Sequence, residues 1–260
     1  MPTGILIDRP QPDVCVVTIN RPAKLNACDR EAWEGLAATF RSLAGDREVR
    51  LAVLTGAGGN FCAGDDINAY AAVRTDAAAS AVYRQAIGDA HQAIENAPFP
   101  VIAAIDGVCV GGGCSIALCC DFRVAGGTAR AGIPAARLGL AYSLEHCQRL
   151  VALVGLANAR RILFTGEIVG AEQAHAMGLF DQLVEGDSLP AARALGASLS
   201  TNAPLSIAAS KASLAAIALG PTEARRAAVA EAFRRAEASQ DAAEGARAFA
   251  EKRKPRFTGE

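Results

Sequence analysis

Two glycine-containing turns are the segments of this chain whose residue types best suit chemistry. The first spans residues 60–67 (NFCAGDDI), the second spans residues 106–114 (DGVCVGGGC), and each follows an apolar run that predicts a strand. Glycine lets the backbone come close to a ligand, and the free N–H groups at a helix start attract negative charge. Two such turns can direct two N–H groups at one oxygen atom, the arrangement that stabilises an enolate or a tetrahedral oxyanion.

Two other interpretations of these glycines stay open at this point. Glycine turns are common wherever strands meet helices, so a purely structural role in close packing also fits. A dinucleotide site is a further interpretation, since residues 56–59 (GAGG) follow a predicted strand. No GxGxxG follows the first strand, however, and the spacing does not match that fingerprint.

The elements that must position the two turns alternate between strand and helix. Runs rich in β-branched residues predict strands at 14–20, 49–55, 101–105 and 122–125. Apolar spacings of three and four predict a helix capped by Asp29 and helices at 77–96, 111–120 and 223–239. The alternation predicts an α/β core over residues 1–195, followed by a helical region over residues 196–260.

Composition narrows the class of protein. The 260 residues carry a net charge of -1 and 20% charged side chains of mixed sign, so no nucleic-acid partner is expected. Neither a long uncharged apolar run nor a basic leader is present, which predicts no membrane span, no signal peptide and a cytoplasmic location. The eight cysteines lie mostly in apolar stretches without a CxxC pair, which predicts buried free thiols and no metal site.

Six collinear segments resemble the crotonase, or enoyl-CoA hydratase/isomerase, superfamily. They are residues 20–27 (NRPAKLNA), 61–67 (FCAGDDI), 106–121, 163–166 (LFTG), 174–179 (AHAMGL) and 249–257 (FAEKRKPRF). The resemblance covers nearly the whole chain and implies a spiral of ββα units with a C-terminal helical region that makes trimer contacts. It also implies an acyl-CoA substrate, with coenzyme A as part of that substrate and no permanently bound cofactor, and a homotrimer or dimer of trimers.

The same resemblance assigns residues to the site. The oxyanion hole is expected from the backbone N–H groups of Asp65 and Gly112. Asp66 is interpreted as structural, because aspartate commonly accepts hydrogen bonds from backbone donors at turns and helix starts. The basic residues 252–254 either meet the phosphates of coenzyme A or form a solvated tail. The residues expected to border coenzyme A are Lys24, Leu25, Ala63, Asp65, Asp66, Ile67, Asn68 and Lys252.

Two positions depart from the hydratase pattern. Members that hydrate enoyl-CoA use two glutamates, one to take the proton of water and one to help deliver a proton to carbon. In this chain those positions hold Ser115 and Ala135. Neither side chain is a useful base at neutral pH, so hydration by the two-glutamate route is not expected.

Four polar side chains are candidates in a site without the glutamates. Tyr142 resembles a tyrosine of the methylmalonyl-CoA decarboxylase branch, although the Asp65 carboxylate would repel a malonyl-type substrate. Tyr142 either orients the substrate or donates a proton, or else it packs with its hydroxyl at the surface. Glu145 is either a relocated base or a solvated carboxylate at a helix start, and His146 is expected at the surface.

The Asp65 side chain either acts beside its backbone or faces solvent. His91 and His175 are interpreted as structural. The sequence therefore predicts an enolate-stabilising lyase or isomerase that acts on acyl-CoA thioesters. The alternatives are an acyl-CoA decarboxylase or isomerase and a non-catalytic acyl-CoA-binding member of the family.

Overall fold

The computed structural model describes residues 4–260. The strands are β1 (Ile5–Gln11), β2 (Val14–Ile19), β3 (Leu51–Gly56), β4 (Val101–Ile105), β5 (Val108–Val110), β6 (Phe122–Gly126), β7 (Arg130–Gly132), β8 (Ile168–Gly170) and β9 (Gln182–Val184). The helices are α1 (Arg30–Ala44), α2 (Ile67–Val73), α3 (Ala77–Glu95), α4 (Gly112–Cys119), α5 (Leu144–Thr165), α6 (Ala171–Ala176), α7 (Ser188–Leu199), α8 (Pro204–Ala218), α9 (Glu223–Glu237) and α10 (Gln240–Ala250). Two short 3-10 turns lie at Pro22–Lys24 and Pro134–Leu138.

Two sheets organise the core. The larger has six strands in the order β1-β2-β3-β4-β6-β9, and all of its pairings are parallel except that of β1 with β2. The smaller has the order β5-β7-β8, with β5 parallel to β7 and β8 antiparallel to β7. Because β4 and β5 belong to different sheets, the turn between them lies where the two sheets meet.

The buried parallel strands explain why the sequence prediction worked best in the centre of the fold. The prediction of a strand at 101–105 matches β4 residue for residue, and all five of its residues are buried. The predicted helices at 77–96 and 111–120 are confirmed within one residue at each end. Asp29 caps α1, as predicted, by accepting a hydrogen bond from the Ala32 amide at 3.0 Å. The short strands of the smaller sheet and the exposed β1 were not predicted, because neither gives a strong apolar pattern.

Helices cover both faces of the large sheet. On one face α1 and α3 pack together over a core that includes Trp33, Phe40 and Ile94. On the other face α7 covers a smaller cluster around Leu51, and a Cβ on Gly196 would overlap the Leu51 side chain. The predicted division of the chain after residue 195 stays a prediction, and as drawn it falls inside α7.

The C-terminal helices α8–α10 form the predicted helical region. Their apolar side chains include several that are largely exposed, among them Ile217 and Phe249. Trimer formation through this region stays a prediction. Within residues 4–260 no helix combines the length and the apolar character needed to cross a membrane. The prediction of free cysteines is confirmed, since none of the eight is in a disulfide and all but the half-buried Cys147 are buried.

Candidate active site

The two glycine turns meet at the C-terminal ends of β3 and β4. Cys62 donates from its amide to the Val108 carbonyl at 2.8 Å and accepts from the Val110 amide at 3.0 Å. The first turn is also tied to the start of α1, because Cys28 donates to Gly64 and accepts from Asp66. The backbone therefore fixes residues 62–66 directly beside the start of α4.

The amides of Asp65 and Gly112 lie at the contact between these loops. An ideal Cβ built on Gly64 would lie 2.7 Å from the Gly112 nitrogen, and one built on Gly112 would lie 3.3 Å from the Asp65 nitrogen. The flanking amides have partners outside this contact, since Asp66 donates to the Cys28 carbonyl at 2.8 Å and Gly111 donates to the Gly132 carbonyl at 2.9 Å. Gly112 is also the first residue of α4, where the amides of a helix point outward. The two amides predicted for the oxyanion hole are thus brought together.

Glycine is required at two of these positions. Gly64 has φ 97, a conformation that residues with a Cβ rarely adopt, and its Cβ would crowd the Gly112 amide. Gly113 has no room for a side chain, because its Cβ would overlap the Cys62 carbonyl oxygen at 2.0 Å. The close approach of the two loops depends on both residues.

The Asp65 side chain turns inward. Its carboxylate accepts a hydrogen bond from the indole Nε1–H of Trp33 at 3.0 Å, and Trp33 is fully buried. The second carboxylate oxygen lies 3.2 Å from where a Cβ on Gly112 would be. Burial raises the pKa of Asp65 to about 6, although hydrogen bonds from Trp33 and from the backbone amide of Asp65 itself oppose that rise. The interpretation in which this side chain faces solvent was wrong.

Ser115 and Tyr142 form a second polar group near Gly112, separate from the Asp65 carboxyl. The two hydroxyl groups are hydrogen-bonded to each other, and both also reach the Gly111 carbonyl, Ser115 at 3.3 Å and Tyr142 at 3.1 Å. Ser115 is 2% exposed. Burial holds the pKa of the Tyr142 hydroxyl well above its usual value, so this group keeps its proton. The alternative with the Tyr142 hydroxyl at the surface was therefore wrong.

A pair of histidines, His91 and His146, lies next to Trp33 and Tyr142. His146 Nε2 is 3.0 Å from His91 Nδ1, and His146 Nδ1 is 2.8 Å from the Ser143 hydroxyl. The His146 ring also packs against Tyr142, and the His91 ring packs edge-on to Trp33. Burial lowers the pKa of His146 to about 4. The prediction of a surface position for His146 was wrong, whereas His91 is buried as expected for a structural residue.

Glu145 does not contact the other candidate acid–base residues, Asp65 and Tyr142. It is exposed in the first turn of α5, and its pKa is lowered by its own backbone amide and then by the Ser143 hydroxyl. Among residues 4–260, no hydrogen bond or ion pair links it to Asp65 or Tyr142. The structure therefore favours the solvated carboxylate over the relocated base. Ala135 lies in the 3-10 turn at Pro134–Leu138 and brings no polar side chain.

Four of the residues predicted to border coenzyme A form an exposed rim beside the first turn, namely Lys24, Leu25, Ile67 and Asn68. Asp66 caps α2, as predicted, by accepting from the amides of Asn68 and Ala69 at 3.2 and 3.4 Å. Lys24 Nζ lies 3.6 Å from the Asp66 carboxylate and stays half-exposed. Leu25, Ile67 and Asn68 are exposed, and Ala63 is half-buried. Their contact with coenzyme A stays a prediction.

The basic C-terminal segment is partly engaged with acidic partners. Arg253 pairs with Glu244 and Glu251. The hydrogen bonds that Glu244 accepts from Arg253 and from the Arg256 amide lower its pKa to about 2. Lys252 is exposed and has φ 54. Whether residues 252–254 meet the phosphates of coenzyme A stays a prediction.

Several residues of the site were missed from the sequence. Asn26 is fully buried, and its side-chain amide donates to the carbonyls of Ala57 and Asn60. These two hydrogen bonds direct the carbonyl groups of Ala57 and Asn60 into the fold. This removes support for the interpretation of residues 56–59 as a dinucleotide site. Trp33 was predicted only as an apolar residue of α1. Nothing in the sequence spacing links it to Asp65, 32 positions away.

Comparisons with known proteins agree with this geometry. A family model described as enoyl-CoA hydratase/isomerase matches residues 9–260. A crotonyl-CoA hydratase of Syntrophomonas wolfei subsp. wolfei is 33% identical over 247 residues, and the match covers 94% of each chain. A 2,3-dehydroadipyl-CoA hydratase of Escherichia coli is 34% identical over 256 residues, covering 98% of each chain.

The fold comparison gives the same result. A solved enoyl-CoA hydratase/carnithine racemase from Magnetospirillum magneticum superposes with a TM-score of 0.89 at 32% identity, covering 99% of this chain and 96% of that chain. The predicted crotonase-like α/β fold is confirmed by this match. By sequence and by fold, the chain belongs to the enoyl-CoA hydratase/isomerase family, the crotonase superfamily, whose members act on acyl-CoA.

Proposed function

We propose that this protein converts an acyl-CoA thioester through an enolate that the backbone amides of Asp65 and Gly112 stabilise, without the two-glutamate machinery of a hydratase. The observation that carries the proposal is the contact between the two loops that places these amides side by side. A thioester oxygen that bridges both amides gains negative charge as the enolate forms. Each amide then donates a stronger hydrogen bond in the transition state than in the ground state.

The names of the relatives favour hydration of an enoyl-CoA, but the acid–base positions argue against the usual route. Ser115 is buried and already bonded to Tyr142 and Gly111, and Ala135 has no polar group. A water molecule at this place would have no carboxylate to take its proton. Loss of general acid or base catalysis costs a factor of about 100 to 10,000. Proton transfer at carbon, which needs only one acid–base group, fits the site better.

Decarboxylation is the weaker alternative. Such a reaction forms the enolate by loss of CO2 and needs no base, which suits the absence of the glutamates. The half-buried Asp65 carboxylate, however, lies between Trp33 and Gly112, where it would oppose a second carboxylate on the substrate. A non-catalytic binder would keep the same amides and the same exposed rim, so only turnover separates it from an enzyme.

Turnover of three thioesters tests the proposal. Purified protein is given crotonyl-CoA, 3-butenoyl-CoA and methylmalonyl-CoA, with a two-glutamate enoyl-CoA hydratase as the standard. We expect conversion of 3-butenoyl-CoA to crotonyl-CoA and hydration of crotonyl-CoA at least about 100-fold slower than by the standard. Hydration at a rate near that of the standard would contradict the proposal. Binding of all three thioesters without any reaction would favour the non-catalytic binder.

A further inference from the structure

Asp65 supplies one of the paired amides, and its carboxyl group lies beside them. Asp65 offers its backbone N–H to the thioester oxygen, and its side chain bends back between the buried Trp33 and Gly112. The carbonyl carbon of a thioester held by both amides is bonded to the α-carbon, so the α-carbon lies within the same small space. The Asp65 carboxyl is therefore adjacent to the atom at which an enolate gains or loses a proton.

The surroundings of this carboxyl are neutral. The titratable groups that face it are Tyr83 on α3, Tyr142 before α5 and Cys28 before α1. Burial raises the pKa of both tyrosines, and the hydrogen bond with Cys62 followed by burial raises that of Cys28. All three therefore keep their protons over the range in which Asp65 titrates. Arg21 and Lys24 pair with the neighbouring carboxylates Asp29 and Asp66. Among residues 4–260 no cation pairs with Asp65 to offset its burial, so its proton affinity suits exchange near neutral pH.

We propose that the Asp65 carboxyl group is the acid–base group of this site, moving a proton between carbons of the bound acyl chain. The inference rests on the proposed function, because it needs an enolate held by the two amides. The reaction class that follows is a shift of a carbon–carbon double bond, with a β,γ-unsaturated acyl-CoA as substrate and its α,β-unsaturated isomer as product.

The step balances without a further reactant. The Asp65 carboxylate takes a proton from the α-carbon, and the electrons of the broken C–H bond form the enolate double bond as the carbonyl π electrons move onto oxygen. In a β,γ-unsaturated substrate the negative charge is shared with the γ-carbon. Asp65 then returns its proton to the γ-carbon, the carbonyl re-forms, and the carboxylate is regenerated.

The neighbouring indole holds this carboxyl in place. Trp33 donates to one carboxylate oxygen at 3.0 Å, which leaves the other oxygen on the side of Gly112. A hydrogen bond to the ionised form favours that form, so Trp33 opposes the effect of burial on the pKa of Asp65. Trp33 is thus a positioning residue whose removal should leave the reaction in place but change its dependence on pH.

The test follows 3-butenoyl-CoA in D2O by NMR with the wild type, Asp65→Asn and Asp89→Asn. Asparagine keeps the backbone N–H and can still accept from Trp33, but it cannot take up a proton. We expect conversion and deuterium incorporation to fall at least about 100-fold in Asp65→Asn. The Asp89→Asn control makes the same change at a surface residue that pairs with Arg41, and its rate should match that of the wild type within about twofold. The affinity for the thioester should be unchanged in both variants.

A second variant, Trp33→Phe, keeps the Asp65 carboxyl, so it tests the assignment even if Asp65→Asn does not fold. The kcat/KM of the wild type should rise with pH to a plateau, with a midpoint near the Asp65 pKa of about 6. Trp33→Phe removes the hydrogen bond to the carboxylate, so its midpoint should move to higher pH. An unchanged midpoint in a folded, active Trp33→Phe protein would overturn the assignment to Asp65.

The outcomes separate the two proposals. A rate for Asp65→Asn within fivefold of the wild type, or above it, would overturn the role of the carboxyl while leaving the enolate function intact. A wild type that binds 3-butenoyl-CoA but gives neither product nor deuterium exchange would overturn the proposed function, and the role of Asp65 with it.

Discussion

The two sides of Gly112 differ in what they offer to a substrate. On one side the Asp65 carboxyl accepts hydrogen bonds from the neutral Trp33 indole and from its own backbone amide, and no cation among residues 4–260 pairs with it. On the other side Ser115 and Tyr142 satisfy each other and the Gly111 carbonyl. The Asp65 side is therefore suited to exchange a proton, whereas the Ser115 side is closed by its own hydrogen bonds. In the proposed reaction the acid–base group therefore lies on the Asp65 side of the paired amides.

A second contrast lies within one dipeptide. Asp66 caps α2 and has Arg21 and Lys24 within 4 Å of its carboxylate. Asp65, one residue earlier, accepts from the Trp33 indole and from its own backbone amide, and burial raises its pKa. Identical side chains thus have different electrostatic surroundings, because one is paired with cations and the other is buried with no cation partner among residues 4–260.

The largest expected effect comes from loss of the backbone N–H of Gly112, the residue that lies between the Asp65 side and the Ser115 side. Gly112→Pro removes the amide that we propose to face the substrate oxygen, and proline is tolerated at the first position of a helix. We expect turnover of 3-butenoyl-CoA to fall about 100- to 1,000-fold, the usual loss for one oxyanion donor. Gly112→Ala is the matched control, because it adds a Cβ to the same crowded position but keeps the N–H. Equal losses in the two variants would show that crowding, and not the missing donor, causes the effect.

A smaller effect concerns the stability of the Asp65 side. The pKa of Asp65 is raised to about 6 on folding, so the folded state binds this proton more tightly than the unfolded chain. The wild type should therefore lose stability as pH rises from about 4 through about 6. Asp65→Asn cannot lose a proton there, so its free energy of unfolding should exceed that of the wild type at pH 7.5 by on the order of 2 kcal/mol.

Urea unfolding of both proteins between pH 4 and pH 7.5 measures this difference. The gain in the variant should disappear at pH 4, where Asp65 is protonated in the folded wild type. A constant difference at every pH would mean that the carboxyl of Asp65 does not titrate near 6 in the folded protein.

The smallest effect is expected on the Ser115 side. Tyr142→Phe removes a hydroxyl that bonds to Ser115 and Gly111, while Ser115 keeps its own bond to Gly111. We expect a loss of about 1 kcal/mol in the free energy of unfolding, typical of one hydrogen bond. The rate with 3-butenoyl-CoA should fall less than in Asp65→Asn. A rate loss as large as that of Asp65→Asn would make Tyr142 part of the proton transfer and erase the contrast between the two sides.

The local part of this fold was predictable from the sequence. Buried strands such as β4 and the cap at Asp29 depend on neighbouring residues, so their patterns are complete within a short window. The two glycine turns were predictable as places where free amides can lie, whereas the choice of Asp65 and Gly112 as the donors came from the resemblance to the crotonase superfamily and stays a prediction. The short strands β7 and β8 pair across a long separation and carry too few residues for a pattern.

The part of the site that the sequence did not predict depends on contacts between residues far apart in the chain. Trp33 and Asp65 lie on different elements, and so do His91 and His146. Each pair exists only because α1, α3 and α5 converge on the paired amides. The inward turn of the Asp65 side chain follows from that packing, and no property of aspartate alone predicts it.

The polarisation of a bound thioester carbonyl tests the central claim most directly. Isotope-edited infrared difference spectra of [1-13C]butyryl-CoA report the carbonyl stretch in the bound state. Two amide donors weaken the C=O bond, so the band should move to lower wavenumber on binding to the wild type and move less on binding to Gly112→Pro. A bound thioester whose carbonyl band stays where it is in solution, or shifts equally in both proteins, would contradict the placement of the thioester oxygen between Asp65 and Gly112.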